Sequence, residues 1–222
     1  NMSNLNRRTF VGAGLSLPFT PKLAAALQST PAAPDPVDHL VIDLPAEPVN
    51  INPAMSYSDL EWTIVHSIFD SLVGFDANGD LRPVAAETFE RIDDVTWEVK
   101  LKPEMTFHDG SPVTSAAIIR GFDLVNGSDS LVSDIFGIVE SMYLMDQLTV
   151  QIKVSEPSPS FPAQMASWHV LIPEGFNPDQ PIGSGPYRFE EWVVGEEISL
   201  MQFENYQPSA TKGVPIADSV TY

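Results

Sequence analysis

The stretch WEVKLKPEMTFHDGSPVTSAAIIRGFDLV, Trp97 to Val125, holds an alternating strand, a turn and a helix in one run. Trp97, Val99 and Leu101 share one apolar face while Glu98, Lys100 and Lys102 share the other, the period of a half-buried strand. Pro103 cannot donate to a ladder and stops it. His108 to Pro112 supplies turn chemistry. Thr114 stands where a side-chain oxygen would cap a helix that carries Ile118, Ile119, Phe122 and Val125 on one side. These periods alone specify a mixture of helices and strands.

Outward from this stretch the same rules place further elements. Leu40 to Leu44 reads as a short buried strand ended by Pro45 and Pro48. Ser58 and Glu61 form a capping box, followed by a helical stripe of Leu60, Ile64, Ile68 and Leu72, with Val65 and Phe69 beside it. Asn78-Gly79 marks a tight turn, and Asp93-Asp94 joins Phe89–Ile92 to Thr96–Leu101 as a hairpin. Leu148, Val150, Ile152 and Val154 alternate as another strand. Two more strands, Tyr187–Trp192 and Ile198–Phe203, reverse near Gly195, and a last apolar alternation spans Ile216 to Tyr222.

Composition removes several function classes. The 222 residues carry 30 acidic and 11 basic side chains, for a formal charge of −19. That balance argues against nucleic acid, which needs clustered Lys and Arg. Its plain meaning is a well-solvated surface; its sharper meaning is attraction of a cationic ligand. Cysteine is absent, which excludes disulfides, thiolate metal sites and thiol nucleophiles. DANGD at Asp76–Asp80 resembles a calcium loop, but Leu81 occupies the place that needs glycine, and Pro83 stiffens the chain just beyond it. His39, His66, His108 and His169 show no metal-ligand spacing. Gly183-Ser184-Gly185 is neither a nucleophile elbow nor a dinucleotide fingerprint, because Pro186 and a strand come directly after it. The pairs Asp93/Asp94 and Glu190/Glu191 point apart at turns or across strands, which no acid/base dyad does. Catalytic residues are therefore not expected, nor is a cofactor.

The start, NRRTFVGAGLSLPF at Asn6–Phe19, resembles a twin-arginine export leader, with Ala24–Ala26 offering a cleavage site. On this reading residues 1–26 are a signal peptide and 27–36 a flexible linker.

Two blocks resemble the extracytoplasmic solute-binding proteins of ABC importers, peptide/nickel type. TWEVKLKPEMTFHDGSPVTSAAI at Thr96–Ile118 is similar to the family pattern TWxVxLxPxxxFHDGxPxTAxDV. PIGSGPYRFEEWVVGEEISLMQFENYQ at Pro181–Gln207 is similar to PIGTGPYxFxxWxxGxxIxLxxNxxYW. The chain departs at Ser184, Ala117 and Gln207. The resemblance implies an α/β fold, a periplasmic-binding-protein-like lobe I with a satellite subdomain. Segments 37–44 and 181–222 would belong to lobe I and 45–180 to the subdomain. Family members run to about twice this length, so it implies an N-terminal fragment with the second lobe missing. It also implies a non-enzymatic, monomeric component that captures a peptide, nickel chelate, opine or oligosaccharide outside the cytoplasm and delivers it to a membrane permease. The loop Glu47–Tyr57 would border the ligand, with Glu47, Asn50 and Tyr57 as polar groups and Trp168 and His169 as a stacking wall. The alternatives are a secreted α/β hydrolase-like enzyme, which would need a nucleophile, base or metal frame, and a non-binding interaction domain.

Overall fold

Trp97, Val99 and Leu101 do face one core, and a computed structural model describing residues 37–222 shows what they meet. Their strand is β5 (Thr96–Leu101), fifth of ten: β1 (Val37–Val41), β2 (Val73–Phe75), β3 (Leu81–Pro83), β4 (Ala86–Arg91), β6 (Val139–Leu144), β7 (Thr149–Val154), β8 (Tyr187–Val193), β9 (Glu197–Gln202) and β10 (Ala217–Thr221). Among the described residues three α-helices accompany them, α1 (Asp59–Ile68), α2 (Ser115–Val125) and α3 (Phe161–Trp168), with a 3-10 turn at Ser133–Phe136. The leader and linker read at 1–36 lie outside the described residues.

Two four-stranded sheets organise the fold. In one, the order is β4-β5-β7-β6 and every pairing is antiparallel. Val99 stands between Phe89 and Val150, and Trp97 opposite Ile152, so the apolar alternation of three strands lands on one face. α2 covers that face with Ile118, Phe122 and Val125. Phe122 meets Phe136 edge-on at 5.0 Å. Each such side chain contributes about 1.5–3 kcal/mol when fully buried.

The other sheet has the order β1-β10-β9-β8, with β1 parallel to β10 and the remaining pairs antiparallel. α1 lies on it through Ile64, Val65 and Ile68, which pack with Ile198, Leu200, Ala217 and Val220. Residues Val170 and Ile172 join this same core from far along the chain. The β2–β3 ribbon turns at the expected Asn78-Gly79, where Gly79 has φ 82° and the Asp76 carboxylate accepts the N–H groups of Asn78 and Asp80.

The two motif blocks meet where the sheets adjoin. His108 accepts the N–H of Gly183 at Nδ1 (3.2 Å), donates to the Gly185 carbonyl from Nε2 (3.0 Å), and bonds Gly183 again through its own backbone (2.9 Å). Gly185 donates in turn to the Ile68 carbonyl at the end of α1 (2.8 Å). A Cβ on Gly183 would collide with that carbonyl, so the glycine is there for close approach.

Three local expectations change. β1 begins earlier than Leu40 and is exposed along its length, because it is an edge strand bonded only to β10; Ile42 and Leu44, beyond it, turn to the core. α1 stops at Ile68, and Leu72 packs in the other core, because Lys212 caps the helix end by donating to the His66 (2.6 Å) and Phe69 (2.7 Å) carbonyls. Thr114 occupies the N-cap position of α2 without a side-chain cap, while Ser115 Oγ ties the helix start to the Asp146 carbonyl at 2.6 Å.

Candidate ligand-binding site

Parallel strands bring their carboxyl ends to the same edge of a sheet, and ligands of open α/β sheets sit in the crevice outside those ends. Here the parallel pair is β1 and β10, ending at Val41 and Thr221. A crevice of about 490 Å³ opens there, with Val41, Asp43 and Glu47 on one side and Trp192, Gly195 and Tyr222 on the other.

Its shape is set by the loop after β1. Pro45 and Pro48 keep Glu47 out of any ladder. The Glu47 carboxylate then accepts the Trp192 indole N–H (3.2 Å) and the Gly195 N–H (2.8 Å), fastening the loop to the β8–β9 turn. Gly195, at φ 80°, supplies the left-handed residue that the turn needs. The loop is next knitted to itself. Asn50 Oδ1 accepts from the Asn52 N–H (3.0 Å) and the Ser56 hydroxyl (3.2 Å), and Asn50 Nδ2 donates to the Met55 carbonyl (3.3 Å). Beside Asn50 a second groove of about 660 Å³ runs between Val49, Met55 and strand β8, and Trp192 borders both openings.

The structure thus brings Glu47 and Asn50 together on either side of Trp192. It does not bring the other three expected residues to them. Tyr57 sits at the entrance to α1 and is exposed. Its backbone N–H donates to Glu61, and its ring lines neither opening. Trp168 borders a third groove, of about 520 Å³, between α1, β2 and the end of α3, where it meets Trp62 edge-on at 5.5 Å and neighbours His66 and Lys212. His169 is fully buried and shares no wall with Trp168. α3 ends at Trp168, and the extended backbone at His169 sends successive side chains in opposite directions. The His169 Nε2 donates to the Ile118 carbonyl (2.9 Å), its ring lies 4.7 Å from Phe122, and burial pushes its pKa down to about 4.

Sequence reasoning missed Trp192, Gly195 and Tyr222 as crevice residues, and no local signal could have found them. Glu47 and Trp192 are joined only by the fold. It also missed Lys212, whose ammonium pairs with buried Asp70 at 2.8 Å beside the third groove. Burial pushes the Asp70 carboxyl up, and Lys212 offsets part of that.

Chemically, the crevice offers shape, aromatic surface, peptide groups and carboxylates. Its lining contains no histidine, serine or lysine. Among the described residues no three His, Asp or Glu side chains stand together as metal ligands, and no helix is long and apolar enough to cross a membrane.

Residues 80–222 match the family model described as bacterial extracellular solute-binding proteins, family 5, middle. A glutathione-binding protein of Pectobacterium atrosepticum is 28% identical over 240 residues, covering 100% of this chain and 43% of its own length. A probable D,D-dipeptide-binding periplasmic protein of Escherichia coli is 26% identical over 86% of this chain and 42% of itself. Among solved structures, the oligopeptide-binding protein of Bacillus subtilis in complex with a nonapeptide has the same fold, with TM-score 0.77, 24% identity, and coverage of 86% of this chain and 40% of that one. An ABC transporter substrate binding protein from Listeria monocytogenes superposes with TM-score 0.71 at 27% identity, over 84% and 40%. The chain therefore spans about 40% of the length of the relatives it matches.

Proposed function

Because this chain belongs to the bacterial extracellular solute-binding proteins of family 5, we propose that it captures a peptide or similar small solute outside the cytoplasm and delivers it to an ABC permease in the membrane. The observation that carries this reading is the crevice at the carboxyl ends of β1 and β10, walled by the loop that Glu47 fastens to Trp192 and Gly195. Pre-formed openings that combine aromatic surface with fixed polar groups suit solute capture. The relatives' names, glutathione-binding and D,D-dipeptide-binding, support a peptide as the solute.

Capture works by closure. A ligand lying in the crevice favours a closed form of the protein, and that liganded form is the one the permease accepts. Glu47 acts by holding the loop and Asn50 by fixing the loop's course, while Tyr57 offers an exposed ring at the entrance to α1, outside both openings. Trp168 serves a separate groove, and His169 supports the core behind it. No bond of the solute is made or broken, no cofactor takes part, and the protein works as a monomer. The Arg7-Arg8 leader directs export.

The test is calorimetric titration of the chain with a set of di- and tripeptides, then mass spectrometry of the recovered peptide. Saturable heat with the peptide recovered intact is expected. Cleaved peptide, or no saturation with any member of the set, overturns the reading.

A further inference from the structure

The groove beside Asn50 has a composition that solute capture in general does not require. Its walls are apolar, with Val49, Met55, Phe189, Trp192 and Val194 among them. Val49 is 81% exposed and Val194 77%, so two large aliphatic side chains stand in water with no partner among the described residues. Exposed apolar surface gathered at a groove, unlike a single stray side chain, marks a place where something docks.

The polar rim has one sign. Asp179, Glu190 and Glu191 border this groove, and Asp43, Glu196 and Glu197 border the adjoining crevice. No lysine or arginine lines either opening. Arg188 pairs with Glu190 at 3.2 Å from outside the lining, and both are about half exposed. The open face of the other sheet differs, since there Lys100 pairs with Glu87 (2.7 Å) and Lys153 with Glu140 (3.0 Å) across neighbouring strands. Apolar walls under an acidic rim complement a solute that joins an apolar segment to a positive charge.

We infer that this groove selects short peptides carrying a lysine or arginine side chain over neutral and acidic peptides of equal size. The inference rests on the proposed function and names the class of solute for the same site. Carboxylates near a low-dielectric wall attract a cation more strongly than carboxylates in open water, and the attraction is screened by salt.

The test titrates the full chain with Val-Lys-Val, its N-acetylated form, its norleucine analogue and its glutamate analogue, at low and high salt, alongside the Glu190→Gln/Glu191→Gln variant. Val-Lys-Val is expected to bind roughly tenfold more tightly than the glutamate analogue at low salt. That margin should shrink with added salt and largely vanish in the variant, whose thermal melt is unchanged because both side chains are exposed. Loss of affinity with the norleucine analogue identifies the side-chain ammonium as the charge read, while loss on acetylation alone overturns the inference. Equal affinity for the lysine and glutamate peptides, or a margin that survives in the variant, overturns this inference alone. Failure of every peptide to bind overturns the proposed function and this inference with it.

Discussion

His108 and His169 are both held neutral by burial, each with a pKa pushed down to about 4. In His108 the accepted Gly183 N–H fixes Nδ1 as the bare nitrogen, and a proton there would turn an acceptor into a donor facing a donor. In the unfolded chain both titrate near 6.5. Between the two values the unfolded state binds more protons, so stability is complete above about pH 6.5 and is lost as pH falls toward 4. For fully buried His169 the loss is on the order of 3 kcal/mol. Denaturant unfolding between pH 7 and pH 4 should therefore fall less steeply in His169→Gln, by about the slope of one proton; equal slopes would show that the ring is protonated in the core. Lys212 poses the converse problem. Lys212→Met leaves the buried Asp70 carboxylate without its partner, and the expected cost is about 3–5 kcal/mol. Asp70→Asn in the same chain should recover a good part of it, and a denaturation series on the single and double variants checks this.

Among the elements, the two long helices start differently although both sequences carry a good capping residue. At α1 the Ser58 hydroxyl accepts the Glu61 N–H and the Glu61 carboxylate accepts the Ser58 N–H, a complete capping box. Ser58→Ala should cost about 1 kcal/mol. Thr114 makes no such bond, so Thr114→Ala should change stability by less than about 0.5 kcal/mol; equal losses at the two sites would contradict this. Elements were readable wherever a period or a turn residue had to satisfy the chain locally. The β5 alternation, the Asn78-Gly79 turn and the Ser58–Glu61 box are of that kind. The limits of β1 and α1 were not, because each is set by a distant residue: β1 is an edge strand paired to β10, and α1 is stopped by the Lys212 ammonium.

Across the whole molecule, the two recognisable blocks are the parts that hold the sheets together, through His108 on Gly183 and Gly185 and through Gly185 on Ile68. This explains why the motif carries fold and family but not ligand. The candidate site lies elsewhere, in a loop whose sequence names Glu47 and Asn50 but gives no hint of Trp192 across the crevice. Separating Trp168 from His169 likewise required knowing where α3 ends. The site is thus only half legible in one dimension, since a crevice between β1 and β10 exists only once residues far apart in sequence are paired.

Solute capture at that crevice is open to direct measurement. Hydrogen exchange of the full chain, with and without a saturating peptide, tests it most directly. Slowed exchange is expected in residues 42–52 and 189–198, which line the two openings that Trp192 borders. Protection confined to residues 62–75 and 166–168 around the Trp168 groove, or none at all, would contradict it.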